Sequence, residues 1–218
     1  MTTGSPTSTS VKTESFNLVA SVTCQSMPDY PLAVWHAFGA FVNHRVVICG
    51  GYAPHISQCY SLGSKETAWK LNGNLITARY GAASAEINDK LLIFGGSGTT
   101  GYLQSTEELD VEAGTATQGP NMPLGIVYPC GVKINNSTVM IIGGYDGIAR
   151  KSTYFYNYNG KTFTAGPDLI AARMWLACGI LSNGIGSYVV VTGGYNGAYL
   201  DATEYLDLND TTIWKTGL

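Results

Sequence analysis

Charge is scarce in this chain. Only 12% of its 218 residues are Asp, Glu, Lys or Arg, and the net charge is -3. That excludes a disordered polyelectrolyte and gives no electrostatic footprint for nucleic acid or an anionic membrane. No run of about 18 apolar residues occurs, so no helix can cross a bilayer. The first ten residues, MTTGSPTSTS, lack the charged-then-apolar pattern of a secretion signal. Cysteine is sparse and odd in number, five in all, with no CxxC pair. Neither a disulfide framework nor a zinc site is expected from that spacing. Only three histidines exist, His36, His44 and His55, and no HxH or HExxH spacing joins them. GxSxG and phosphate-cradling glycine motifs are missing too. A segment with the 3.6-residue period of an amphipathic helix is not found either.

What the chain has in abundance is glycine, 27 residues, and tyrosine, 14 residues. Four apolar runs each end in a glycine pair: VVICGG at Gly51, LLIFGG at Gly96, VMIIGG at Gly144 and VVVTGG at Gly194. The steps between them are 45, 48 and 50 residues. Around each pair lie four short segments rich in Val, Ile, Tyr and Phe, parted by Asn, Asp and Gly turns. Four strands per ~45–50 residues describes one blade of a propeller, repeated. The runs LLIF, VMII and VVVT carry apolar residues on both faces, as strands covered on both sides do.

These units resemble the kelch repeat. The glycine pairs Gly50-Gly51, Gly95-Gly96, Gly143-Gly144 and Gly193-Gly194 follow the second strand. The third-strand segments are QCYSL, TEELDV, TYFYNY and TEYLDL. An aromatic follows each pair by 18, 19 or 20 residues in three units: Trp69, Phe163 and Trp214. The second unit has Thr117 there. The resemblance implies an all-β propeller with blades at about 35–75, 79–123, 127–170 and 173–217. Residues 11–30 are expected to supply a partial blade, and residues 1–10, with almost nothing to bury, a disordered leader. About four and a half blades make an incomplete ring, so the sequence is expected to be a fragment of a longer chain.

In up-and-down blades the loop after strand two and the link into the next blade share one face. That face is expected to bind. The resemblance carries binding roles onto Arg79 and Arg173, before strand one, and onto Tyr52, Tyr145 and Tyr195, after the glycine pairs. Neighbours on the same face are Tyr80, Asp146, Trp175 and Asn196. Arg79 and Arg173 have a rival role, tying blades together. The glycine pairs, Trp69 and Trp214 are expected to be structural. Cys130 and Cys178 are expected to be small inner-strand residues. His36 is expected to begin an inner strand and His44 to sit in a turn.

The expected function is therefore a non-catalytic, protein-binding module or adaptor, with no cofactor and no metal. The alternative is a propeller that binds or processes sugars in an axial pocket. The location defaults to the cytoplasm; an extracellular one would require a signal segment outside this sequence. Sequons stand at Asn135, Asn136 and Asn209, a triplet that also arises by chance.

Overall fold

A computed structural model describes residues 27–217. The expected leader, and all of the partial blade before Met27, lie outside the described residues. What is described is all β. Four antiparallel four-stranded sheets follow one another along the chain. Blade one contains β1 (Phe38–Val42), β2 (Arg45–Cys49), β3 (Gln58–Gly63) and β4 (Lys70–Asn74). Blade two contains β5 (Ala83–Ile87) and β6 (Lys90–Phe94). A short extra hairpin, β7 (Ser97–Gly98) and β8 (Gly101–Tyr102), precedes its outer strands β9 (Thr106–Asp110) and β10 (Thr115–Gln118). Blade three is β11 (Cys130–Asn135), β12 (Thr138–Ile142), β13 (Thr153–Asn157) and β14 (Thr162–Ala165). Blade four is β15 (Ala177–Ser182), β16 (Ser187–Thr192), β17 (Thr203–Asp207) and β18 (Asp210–Thr216). The first strands β1, β5, β11 and β15 touch in succession, so the innermost strands line an axis. Among the described residues this is kelch-type propeller architecture with the sheets not closed into a ring.

The second strand of each blade shows how position sets burial. In β6, Leu91 and Ile93 face blade one, while Leu92 and Phe94 face blade three; all four are buried. In β12, Val139 and Ile141 face blade two, and Met140 and Ile142 face blade four. Each such side chain contributes roughly 1.5–3 kcal/mol. In β16 only Val189 and Val191 are fully buried, against blade three, and Val190 is half-buried. The run VVVT carries apolar residues on both faces, but the face of Val190 and Thr192 is not covered among the described residues.

The glycine pairs are the seams. All eight residues have positive φ, between 63° and 118°. Each second glycine of the first three blades donates to a carbonyl of the next blade's link: Gly51 to Arg79, Gly96 to Ile126, Gly144 to Arg173. A Cβ on Gly50 or Gly143 would meet that same carbonyl oxygen at 2.4 or 2.5 Å. Glycine is required there on both counts.

Three expectations need correcting. Four cysteines are paired: Cys49 with Cys59 across β2 and β3, and Cys130 with Cys178 between blades three and four. Sequence spacing hid them because sheet register, not chain order, brings the partners together. Thr117 is not the counterpart of the blade aromatic. Phe163 pairs with Tyr156, and the matching pair in blade two is Ala116 with Leu109, so Ala116 points inward. Trp69 precedes β4 rather than lying in it. Its indole donates to the Pro28 carbonyl at 3.2 Å, as Trp214 does to Pro167 at 3.0 Å.

Candidate functional site

Each link crosses over the loop that follows its blade's glycine pair. Isolated bridges join Trp35 to Tyr52, Tyr80 to Ser97, Val127 to Tyr145 and Met174 to Tyr195. Links and loops therefore meet at one end of the sheets. The residue after each bridged link position is left-handed in every blade: His36 (φ 54°), Gly81 (60°), Tyr128 (59°) and Trp175 (57°). Large non-glycine residues avoid that region. Here the backbone holds them in it. Gly81 donates to the His36 carbonyl at 2.9 Å, Tyr128 to Gly81 at 2.7 Å, and Trp175 to Tyr128 at 3.3 Å. One hydrogen-bonded ladder thus crosses all four blades.

The ladder presents a belt of rings. His36 lies 4.7 Å from Tyr128, Tyr80 6.0 Å from Tyr128, Tyr128 5.2 Å from Trp175, and Trp175 5.9 Å from Tyr195. Tyr199 continues the belt past Tyr195 at 5.3 Å. At the other end Tyr52 touches Trp35, His55 and Tyr80. Gly81 makes room: a Cβ there would stand 2.6 Å from the Tyr128 ring. His36, Tyr128 and Trp175 line an open concavity of about 270 Å³ floored by Ala37, Ala82 and Pro129. Burial lowers the His36 pKa, which favours a neutral imidazole. Burial, then the neighbouring Tyr80, pushes the Tyr128 phenol up to about 12. The concavity is aromatic and carries no charged side chain in its lining.

Arg79 and Arg173 do not join this surface. Both are completely buried. Arg79 donates to the carbonyls of Gly95 (2.7 Å) and Ser105 (2.9 Å), to the Ser105 hydroxyl (3.0 Å), and to Glu107. Glu107 in turn accepts from the backbone of Ile76 (2.7 Å) and Thr77 (3.0 Å) in the link. Arg173 repeats the arrangement with Gly193, Ala202 and Glu204, and Glu204 accepts from Ile170 and Ala171. The expectation that these arginines line the binding surface gives way to the rival one: each ties its link to the second and third strands of its own blade. A buried charge has to be paired and hydrogen-bonded; apart from the Arg173 Nε, which is buried without a partner, both guanidiniums are committed in this way and neither reaches the surface.

The other expected residues lie at the loop end in differing states. Tyr52 and Trp175 are exposed, and Tyr80, Tyr145 and Tyr195 are half-buried. Asp146 is committed to Arg150 through two bonds of 2.7 and 2.5 Å. Asn196 is exposed and caps its own loop at Ala198. Tyr102, from the extra hairpin, sits against Tyr145 at 5.8 Å. A second concavity of about 530 Å³ adjoins these two rings' loops, lined by Gln104, Ser105, Asn121 and Asp146 among others.

His36 is a correction as well. Its backbone is left-handed and ahead of β1, so its ring joins the belt instead of an inner strand. His36 and His55 both contact Tyr80, at 6.2 and 5.4 Å. His44, also left-handed, stands in the turn at the far end. Among the described residues no three His, Cys, Asp or Glu side chains cluster closely enough to hold a metal. Nor does any described helix have the length and apolarity to cross a membrane. The far end has its own concavity of about 340 Å³ between blades one and two. Its Arg45 and Lys70 are bound to Glu66, and its Lys90 to Glu108. Those charges satisfy one another.

Among curated proteins no sequence matches this chain. The family model described as "Kelch motif" matches residues 78–123, from just before Arg79 to the end of blade two. The flanking sheets repeat that unit with the same strand order, glycine pair and link bridge, and the matched unit supports a kelch-repeat family for the chain.

Proposed function

We propose that this chain is a non-catalytic binding module that captures a partner protein on the aromatic belt of its loop end. The observation that carries this reading is the row of left-handed residues, His36, Tyr128 and Trp175, held by one backbone ladder. Bulky residues in that conformation cost on the order of 1–2 kcal/mol each, and such strain collects at functional sites. Tyr and Trp are the side chains that dominate protein-binding surfaces. Kelch repeats are as a rule protein-interaction elements. With Arg79 and Arg173 sequestered, the belt has no cation of its own to receive an acidic motif. It suits apolar or cationic side chains, the latter through ring faces.

Panning a random peptide library against the immobilised chain tests this. Selected peptides should lose binding to a Tyr128→Asn, Trp175→Asn variant and keep it for a Lys70→Ala, Asp89→Ala variant at the far end. Asparagine tolerates the left-handed conformation, so the fold is retained. Peptides insensitive to the belt variant, or belt-dependent binding confined to oligosaccharides, would contradict the reading. The latter result would favour the sugar-binding alternative, for which the uncharged aromatic lining is the supporting feature.

A further inference from the structure

The sequons stand where the aromatic belt is not. Asn135 ends β11, Asn136 opens the β11–β12 turn, and Asn209 lies in the β17–β18 turn. Both turns lie at the end opposite the loop face, and all three asparagines are exposed. At the first turn the Asn135 side-chain oxygen accepts from the Ser137 backbone at 2.9 Å and from its hydroxyl at 3.2 Å. Asparagine and the hydroxyl of its sequon are thus already in contact. At the second, the Asn209 amide nitrogen of the backbone donates to Asp207, so the turn stands without help from the Asn209 side chain. An asparagine-linked sugar at either turn would displace nothing packed.

A second, independent observation concerns the cysteines. All four in the described residues form disulfides. Such bonds persist in oxidising compartments, where sugar transfer to sequons also takes place. We propose that this chain passes through a secretory compartment and carries asparagine-linked glycans on its turn end, one at Asn209 and one at Asn135 or Asn136. The donor would be an oligosaccharide on a lipid pyrophosphate. A bond forms between the side-chain amide nitrogen and the sugar's C1. The C1–O bond to the pyrophosphate breaks, the lipid pyrophosphate leaves, and the nitrogen's proton goes to the enzyme's base. Glycans there would cover one end of the blades and leave the belt open.

The chain isolated from its own cells tests this. It is alkylated without reductant, then treated with peptide-N-glycosidase in heavy-oxygen water, which converts each glycosylated asparagine into labelled aspartate. The expected result is label at position 209 and at 135 or 136, with Cys49, Cys59, Cys130 and Cys178 unalkylated. Intact asparagine at either turn, or alkylated cysteines, would overturn the proposal. The N135Q/N136Q/N209Q variant should lose both sugars and keep its binding of belt-selected peptides. Loss of that binding in a folded variant would contradict the separation of the two ends.

Discussion

Blades two and four meet a structural demand with opposite chemistry to blades one and three. Ahead of the bridged link residue stand Val34, Arg79, Ile126 and Arg173 in turn. The facing third-strand position, set by register, holds Tyr60, Glu107, Tyr154 and Glu204. Charged pairs in blades two and four thus alternate with an aliphatic residue and a tyrosine at the same two positions of blades one and three. The charged version satisfies two link N–H groups and two strand carbonyls. What the alternation teaches is that arginine here is a tie, and that its partner has to change with it.

Breaking one partner alone should have the largest effect. Arg173→Met leaves Glu204 buried and unpaired, an expected loss of about 3–5 kcal/mol by urea unfolding. Copying blade three outright, with Arg173→Ile and Glu204→Tyr together, should recover most of it. A double variant as unstable as the single one would mean the pairs are not interchangeable solutions.

The two disulfides sharpen the comparison between blades. Cys130–Cys178 joins an aliphatic-type blade to a charged-type one across 48 residues, whereas Cys49–Cys59 closes 10 residues within one blade. Loop entropy gives roughly 4 and 3 kcal/mol respectively. Cys130→Ser/Cys178→Ser should therefore lower Tm more than Cys49→Ser/Cys59→Ser. It should also raise hydrogen exchange in blade four selectively.

A smaller contrast separates glycines at one position. Gly143→Ala meets the Arg173 carbonyl at 2.5 Å, while at Gly193 the nearest atom is Leu200 oxygen at 4.0 Å. Both have positive φ, so each alanine costs about 1–2 kcal/mol on that account. Only Gly143→Ala should add a clash, measurable as the greater drop in denaturation midpoint.

Acid titration should give the smallest effect. Glu66, in blade one, is held down to about 2 by hydrogen bonds from Arg45, Lys70 and the Gly63 backbone. A lowered folded pKa adds stability above the unfolded carboxyl pKa, near 4.3, and that stability fades as pH falls through the folded value. The Tm gap between the wild type and Glu66→Gln should be constant above pH 5 and shrink from about pH 4 to 2. An unchanged gap would show the ion pair is inert.

The repeat was legible because buried strands and glycine pairs leave marks at fixed spacing. LLIF and VMII announced strands covered on both sides. VVVT did so too, though among the described residues β16 is covered on one, since a run of residues does not say how many neighbours a blade has. The loop end, with Tyr52, Tyr80, Trp175 and Tyr195, followed from strand order alone. The left-handed backbone of His36, Tyr128 and Trp175 did not, because nothing in those residue types signals positive φ. Their one hint was Gly81, the glycine at the same position in blade two. The fate of the arginines was hidden for a related reason: Glu107 and Glu204 lie 28 and 31 residues further on, in strands whose register only the fold supplies.

Trp175→Gly tests the central claim most directly. Glycine relieves the left-handed backbone at Trp175, as Gly81 already does in blade two, while removing the ring half-exposed to solvent. Tm and affinity for belt-selected peptides are measured on the same sample. An unchanged or raised Tm with peptide binding lost is the predicted result. A lowered Tm with peptide binding retained would make the belt a packing device and contradict the account.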